Sequence, residues 1–445
     1  MLSALIAIAT LSTAIKAQEP KVLSNKLSLV TPDHFEDSVV LSKRGSTSSP
    51  STLESPDFVK ASYTLIDFTI GSQGTTIQSI LDSGSYPLWV GDSGNSDLQN
   101  TPLCASYQSC YNVSASTSAK KTNNYDTIDY ASISVQAQVY SDVININGQS
   151  LTFEFGVTET YPNWPISVFG IRNMGQQSGQ ITSYLKNAGI IDVTSVSLYY
   201  GDVFNYYAST ISEGTVTFGG YDTSVVSDMK YFSIDSNSFV KVTGFELLKG
   251  TDEKSASVLG SALVSGNSQN TVVDSGTTVA IQAPSAFIAM IQNNVDVIQP
   301  SSGNAYWVCA NYEDYYVRIM FNGEQLSIPL NNLAYGPVNN GQCLYMFSQG
   351  GDNDITLLGQ YFMKNVVTYF NYDTNQIGIG TTNTAPDLVW LDQQVSSSSS
   401  TTSKASSTSS KVSSTSSTSS KVSSTSSTSS KASSTSSKAS STSSK

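Results

Sequence analysis

From residue 63 onward, apolar and polar positions alternate in short runs, the clearest being Tyr63 to Ile70, Ile77 to Leu81, Ile128 to Val135 and Val139 to Ile146. These runs are rich in Thr, Val, Ile and Tyr, and clusters of Gly, Asn and Ser separate them, as in half-buried strands joined by turns. A period of three to four residues is confined mainly to Ile181 to Ala188 and Ser285 to Val295, where helices are expected. The pattern predicts a mostly-β body. It fails at both ends. Residues 1–17 are apolar and small, too few to span a membrane and of signal-peptide length. Beyond about residue 395 the chain is almost all Ser and Thr, with Lys404, Lys411, Lys421, Lys431, Lys438 and Lys445 spaced 7 or 10 apart. Such a tail has almost nothing to bury and reads as a disordered, O-glycosylated stalk. No other stretch reaches the ~18 apolar residues of a membrane-spanning helix, so none is expected.

Charge and composition narrow the chemistry. The 445 residues carry a net charge of −12, and residues 45–395 alone hold 11 basic against 30 acidic side chains. That body has no basic footprint for nucleic acid, and it suits work in acid, where much of the charge is neutralised. The one histidine, His34, lies near the start of the chain. Ser-His-Asp and Cys-His catalysis and histidine-based zinc sites then lack their residues in the body, leaving acid–base work to carboxylates, Lys or Tyr. Four cysteines, Cys104, Cys110, Cys309 and Cys343, form an even set behind a leader, which implies two disulfides and an oxidising compartment, with three connectivities open.

The carboxylates that could do this work stand in a repeated setting. Ile80-Leu81-Asp82-Ser83-Gly84-Ser85 and Val272-Val273-Asp274-Ser275-Gly276-Thr277 share one plan: two apolar residues, Asp, Ser, Gly, a hydroxyl. Val168-Phe169-Gly170 follows the first Asp by 88 residues at its glycine, and Leu357-Leu358-Gly359 follows the second by 85. One such block is an ordinary turn. Two at nearly equal spacing indicate an internal duplication. A pseudo-twofold axis would bring the two carboxylates face to face. Within ~3 Å they cannot both ionise, so the pair shares one proton, and one member can act as base while the other acts as acid.

These residues resemble the pepsin-like aspartic proteases, most closely the fungal secreted and yapsin-type members, over residues 58–392. Tyr63 to Gly71, Ser197-Leu198-Tyr199, Gly214 to Gly220 and Leu358-Gly359-Gln360-Tyr361-Phe362 match as well. The resemblance implies a bilobal β fold with two pseudo-twofold-related lobes, residues 58–235 and 236–392. Ahead of them it implies a signal peptide (1–17), a pro-segment (18–44) cut at Lys43-Arg44 and a linker (45–57), with the stalk at 393–445. It implies a monomeric, secreted endopeptidase acting on peptides or proteins at acidic pH, with cell-wall association as a further expectation and with no metal or cofactor.

Residue by residue, the resemblance makes Asp82 and Asp274 the catalytic pair, with Ser83, Gly84, Ser85, Ser275, Gly276 and Thr277 supporting them. It makes Tyr130 the flap tyrosine, 12 residues before Asp142, and Trp89 the indole donor to its hydroxyl. It favours the pairs Cys104–Cys110 and Cys309–Cys343. Asn112-Val113-Ser114 is a glycosylation acceptor, and Lys120-Lys121 reads as a solvated loop tip. The chain also departs from the family. Ala131-Ser132-Ile133-Ser134 stands where the flap usually has two glycines, Tyr86-Pro87 replaces a small polar pair, and serine fills both 83 and 275, where threonine is usual in at least one lobe. The altered flap and long tail leave a second reading, a weakly active or inactive wall-binding protein. A two-carboxylate glycosidase has only the carboxylates in its favour.

Overall fold

In the computed structural model, residues 21–30, 63–130, 133–174, 180–201, 213–263, 269–301, 304–338, 341–350, 355–382 and 388–392 are described. The leader, Lys43-Arg44, the linker and the Ser/Thr tail lie outside them, as does His34. Strands dominate. A 14-stranded sheet holds every strand from Leu23–Val30 to Val226–Ser233, joined by Val366–Asn371 and Gln376–Thr382. A 9-stranded sheet is built from residues 240–392, and a 3-stranded one joins Tyr306–Val308, Gln342–Leu344 and Tyr335–Val338. The two expected helices are Ile181–Asn187 and Ser285–Asn294. None among the described residues is long and apolar enough to cross a membrane.

The duplication is visible in strand pairing. Thr75–Asp82 runs parallel to Ser167–Gly170, with Ile80 opposite Val168 and Asp82 opposite Gly170. Gln269–Val273 runs parallel to Thr356–Leu358, with Val273 opposite Leu358. In each half a further strand, Leu88–Asp92 or Ile281–Ala283, pairs antiparallel to the second member. Strands in such a position are covered on both faces, which is why each reads as a continuous apolar run before its Asp. Glycine closes each pair for lack of room. A methyl on Gly170 would lie 2.7 Å from Ser85 O, and one on Gly359 would lie 2.7 Å from Thr277 O.

Three elements differ from the expected pattern. The run Ile128 to Val135 is not one strand: Lys120–Asp129 ends, the chain turns with Tyr130 N donating to Ile133 O at 2.8 Å, and Ser134–Ile146 begins. The apolar phase slips within the turn, from Ile128 and Tyr130 to Ile133 and Val135, with Ala131 and Ser132 between. Lys120-Lys121 opens that first strand instead of capping a loop, although both side chains are exposed. The third is Leu23–Val30, a strand upstream of the run at Tyr63. It lies antiparallel between Glu213–Phe218 and Tyr63–Ile70, with Leu23 and Leu27 buried. Without it, two long strands would each expose an unpaired edge in the middle of the sheet. Cys104 is bonded to Cys110 and Cys309 to Cys343.

Candidate active site

Both Asp-Ser-Gly loops leave the ends of their strands toward each other, and the two serines tie them together. Ser83 N donates to Ser275 Oγ and Ser275 N to Ser83 Oγ, each at 2.9 Å. The same hydroxyls donate onward, Ser83 Oγ to Val273 O at 2.8 Å and Ser275 Oγ to Leu81 O at 2.6 Å. Every donor and acceptor in this buried square has its partner in the opposite loop. Serine serves here because only the hydroxyl is used; the methyl of a threonine has no part in these bonds.

The carboxylates are held in matching ways. Gly84 N donates to Asp82 Oδ1 at 2.7 Å, and Gly276 N to Asp274 Oδ1 at 2.8 Å. Ser85 Oγ donates to Asp82 Oδ2, and Thr277 Oγ1 donates to Asp274 Oδ2 at 2.6 Å. Each glycine lies against the other loop's carboxylate. A methyl on Gly84 would come 2.6 Å from Asp274 Oδ1, and one on Gly276 would lie 2.6 Å from Asp82 Oδ1 and 3.3 Å from Asp274 Oδ1. The two acids therefore occupy one small space, and any side chain at 84 or 276 would push them apart.

Electrostatics follows from that placement. Burial raises the Asp82 carboxyl well above the usual carboxylate range, and the neighbouring Asp274 raises it further, against the opposing hydrogen bonds from Ser85 and Gly84. Asp142 is a useful contrast. It is also buried, which pushes its carboxyl up, yet donors from Ser118, Tyr111 and Val143 outweigh burial and hold it below its ordinary value. A buried Asp stays ionised when donors surround it; one that faces a second carboxylate keeps a proton.

Over the Asp82 loop, Trp89 Nε1 donates to the Tyr130 hydroxyl at 2.9 Å. The Tyr130 phenol is pushed up by burial and by Asp82, while hydrogen bonds with Trp89 and Ser85 act the other way. Trp89 and Ser85, the residue bonded to Asp82, thus both act on the Tyr130 phenol. Of the glycine-free flap tip, Ala131 and Ser132 lie outside the described residues, and Ser134 Oγ donates back to Asp129 Oδ1 at 2.7 Å. Asn112 caps a short 3-10 turn, with Ala115 N and Ser114 Oγ donating to its side-chain oxygen.

Two further side chains brace the loops. Arg172 Nη1 donates to Gly84 O at 2.9 Å, and Gln360 Nε2 donates to Ser275 O at 2.8 Å. Both follow the apolar-apolar-Gly blocks; Gln360 lies in the matched stretch Leu358 to Phe362, where the resemblance gives it no role, and Arg172 is marked only as a polar residue at the end of an apolar block.

The family profile for eukaryotic aspartyl protease matches residues 63–382. The chain is 28% identical over 339 residues to an acid protease of Saccharomycopsis fibuligera, covering 72% of this chain and 80% of that one. It is 26% identical over 419 residues to the "Probable aspartic-type endopeptidase OPSB" of Arthroderma benhamiae, with 84% and 80% covered. It is 25% identical over 351 residues to secreted aspartic protease 8 of Candida albicans, with 76% and 78% covered.

Proposed function

The chain belongs to the eukaryotic aspartyl protease family, and we propose that Asp82 and Asp274 are the catalytic pair with which it hydrolyses peptide bonds. It is a secreted aspartic endopeptidase, its mostly-β body crosslinked by two disulfides. The observation that most supports the assignment is the reciprocal fit of each glycine against the opposite carboxylate. Two acids in one enclosed space hold a single proton between them. The ionised member takes a proton from a bound water, and the resulting hydroxyl attacks the scissile carbonyl carbon. The protonated member donates to the carbonyl oxygen as the tetrahedral diol forms. Collapse of the diol breaks the C–N bond: one Asp takes a proton from a diol hydroxyl as the carboxyl product forms, the other gives its proton to the leaving nitrogen, and one proton again stays with the pair. No covalent enzyme intermediate is needed.

Around this centre, Tyr130 and Trp89 form the flap and its anchor, and Ser85 links them to Asp82. Residues 58–235 and 236–392 are the two lobes and 18–44 is a pro-segment. The strand Leu23–Val30 then belongs to the zymogen's sheet, and cutting after Lys43-Arg44 severs its link to Tyr63–Ile70. Asn112 carries a glycan, the tail is a glycosylated stalk that favours the wall, and the enzyme works as a monomer on protein substrates without nucleic acid. The glycine-free flap favours the second reading, a wall-binding protein of low activity. Digestion of a denatured protein at acidic pH by the chain cut after Arg44 separates the two. Cleavage blocked by pepstatin is the expected result; correctly folded material that cleaves nothing from pH 3 to pH 6 leaves the binding protein.

A further inference from the structure

Arg172 is enclosed, with 8% of its surface exposed, and its side chain reaches the first aspartate loop. Its main chain is pinned first: Arg172 N donates to Ser85 O at 2.9 Å, and the Tyr372 hydroxyl donates to the preceding carbonyl, Ile171 O, at 3.0 Å. The guanidinium then spans two segments far apart in sequence. Nη1 donates to Gly84 O at 2.9 Å, while Nε, at 2.9 Å, and Nη2 donate to Asn237 O. Its carbon stands 4.8 Å from the centre of the Phe239 ring. The turn that presents Asn237 is itself built for the purpose: Asp235 Oδ1 accepts from Asn237 N at 2.8 Å and from Phe239 N at 3.0 Å. Ser238 Oγ closes back on Asn173 O at 2.6 Å.

The acceptors of the guanidinium are neutral carbonyls, Gly84 O and Asn237 O. Among the described residues Arg172 makes no ion pair. An enclosed cation without a contacting carboxylate is costly unless nearby charge offsets it. Burial holds the guanidinium below its ordinary value, and the nearby ionisable groups Asp274, Tyr372, Asp82 and Asp235 act against it, favouring the charged form. Two of those four are the aspartate pair. The Gly84 carbonyl it grips belongs to the residue whose N–H holds Asp82 Oδ1.

We propose that Arg172 is a positioning residue for the aspartate pair, holding the Asp82 loop through the Gly84 carbonyl and setting the acidic working range of the enzyme with its unmatched positive charge. The inference rests on Asp82 and Asp274 being the catalytic pair. Its physical content is a sign. A cation near the pair favours the ionised carboxylates, so the pair gives up both its protons at lower pH than it would alone. Tyr130, the other ionisable group against Asp82, is neutral throughout this range and contributes no such field.

The test is the pH profile of kcat/KM for the processed enzyme and two variants. Arg172→Gln keeps a donor but removes the charge, so both limbs of the profile should move up by about one pH unit. Its kcat should fall several-fold, because the loop loses its fork of donors. Arg172→Lys should return the limbs to their wild-type positions while leaving kcat low, since an ammonium supplies the charge without the planar fork. Limbs that stay in place in Arg172→Gln, with only kcat reduced, would overturn the electrostatic role and leave a brace. If Arg172→Gln does not fold, Arg172→Lys decides alone: limbs displaced upward contradict the proposal. A wild-type enzyme without acid activity would take down the catalytic pair itself, a result distinct from an unmoved profile in an active enzyme.

Discussion

The loop at Asp82 and the loop at Asp274 have matching internal bonds and different surroundings. In each, the glycine N–H and the following hydroxyl hold the carboxylate, and the serine binds across to the other loop at 2.9 Å. Each loop is also braced from behind, at Ser85 O by Arg172 N and at Thr277 O by Gln360 N, both at 2.9 Å. The bracing side chains differ. A guanidinium holds Gly84 O in one half, and a neutral amide holds Ser275 O in the other. Among the described residues, the Trp89–Tyr130 pair adjoins the first loop. What the duplication repeats is the neutral hydrogen-bond frame, which fixes geometry. A guanidinium donor and the Trp89–Tyr130 pair are added beside the first loop. Two chemically identical acids can then take unequal parts in one reaction, because their environments differ while their positions stay equivalent.

If the frame is as symmetric as its bonds, breaking it from either side should cost the same. Ser83→Ala and Ser275→Ala each strand one buried N–H and one buried carbonyl of the opposite loop. Each should cost about 2–6 kcal/mol of stability, at roughly 1–3 per unsatisfied group, and lower kcat by about 100-fold as the carboxylates lose register. Denaturant melts and steady-state kinetics on both variants check this together. A loss in one variant several times that in the other would break the comparison.

A smaller effect sharpens it. The Asp82 carboxyl is raised by burial and by Asp274, so the folded state holds a proton there that the unfolded chain has released. Stability from this source is full below the ordinary Asp value and falls as pH rises from that value through the raised one. Asp274→Asn removes the neighbouring charge. The variant should melt a few degrees above the wild type at pH 7 and with it at pH 3. Scanning calorimetry at the two pH values reads the difference, and an unchanged gap between them would count against the shared proton.

Much of this was legible in the sequence because it is local or repeated. The two Asp-Ser-Gly blocks and their glycine sequels announce the paired strands, and alternation from Tyr63 announces the sheets. What escaped depends on distant partners. Leu23–Val30 looks like a polar run with scattered leucines, and its place comes from Tyr63–Ile70 on one edge and Glu213–Phe218, about 190 residues on, along the other. The turn after Tyr130 carries no glycine, so it was marked by the family resemblance and not by turn chemistry of its own. Arg172 reads as a surface cation closing an apolar block. It becomes something else only when Asn237, 65 residues later, folds over it.

The central claim is that two equivalent carboxylates act together, and replacing them one at a time tests it most directly. Asp82→Asn and Asp274→Asn, each processed after Arg44 and assayed on a denatured protein at the wild-type optimum, should fold cooperatively and each lose at least about 1000-fold in kcat/KM, since the site needs both an acid and a base. A folded Asp274→Asn enzyme with wild-type activity would contradict it.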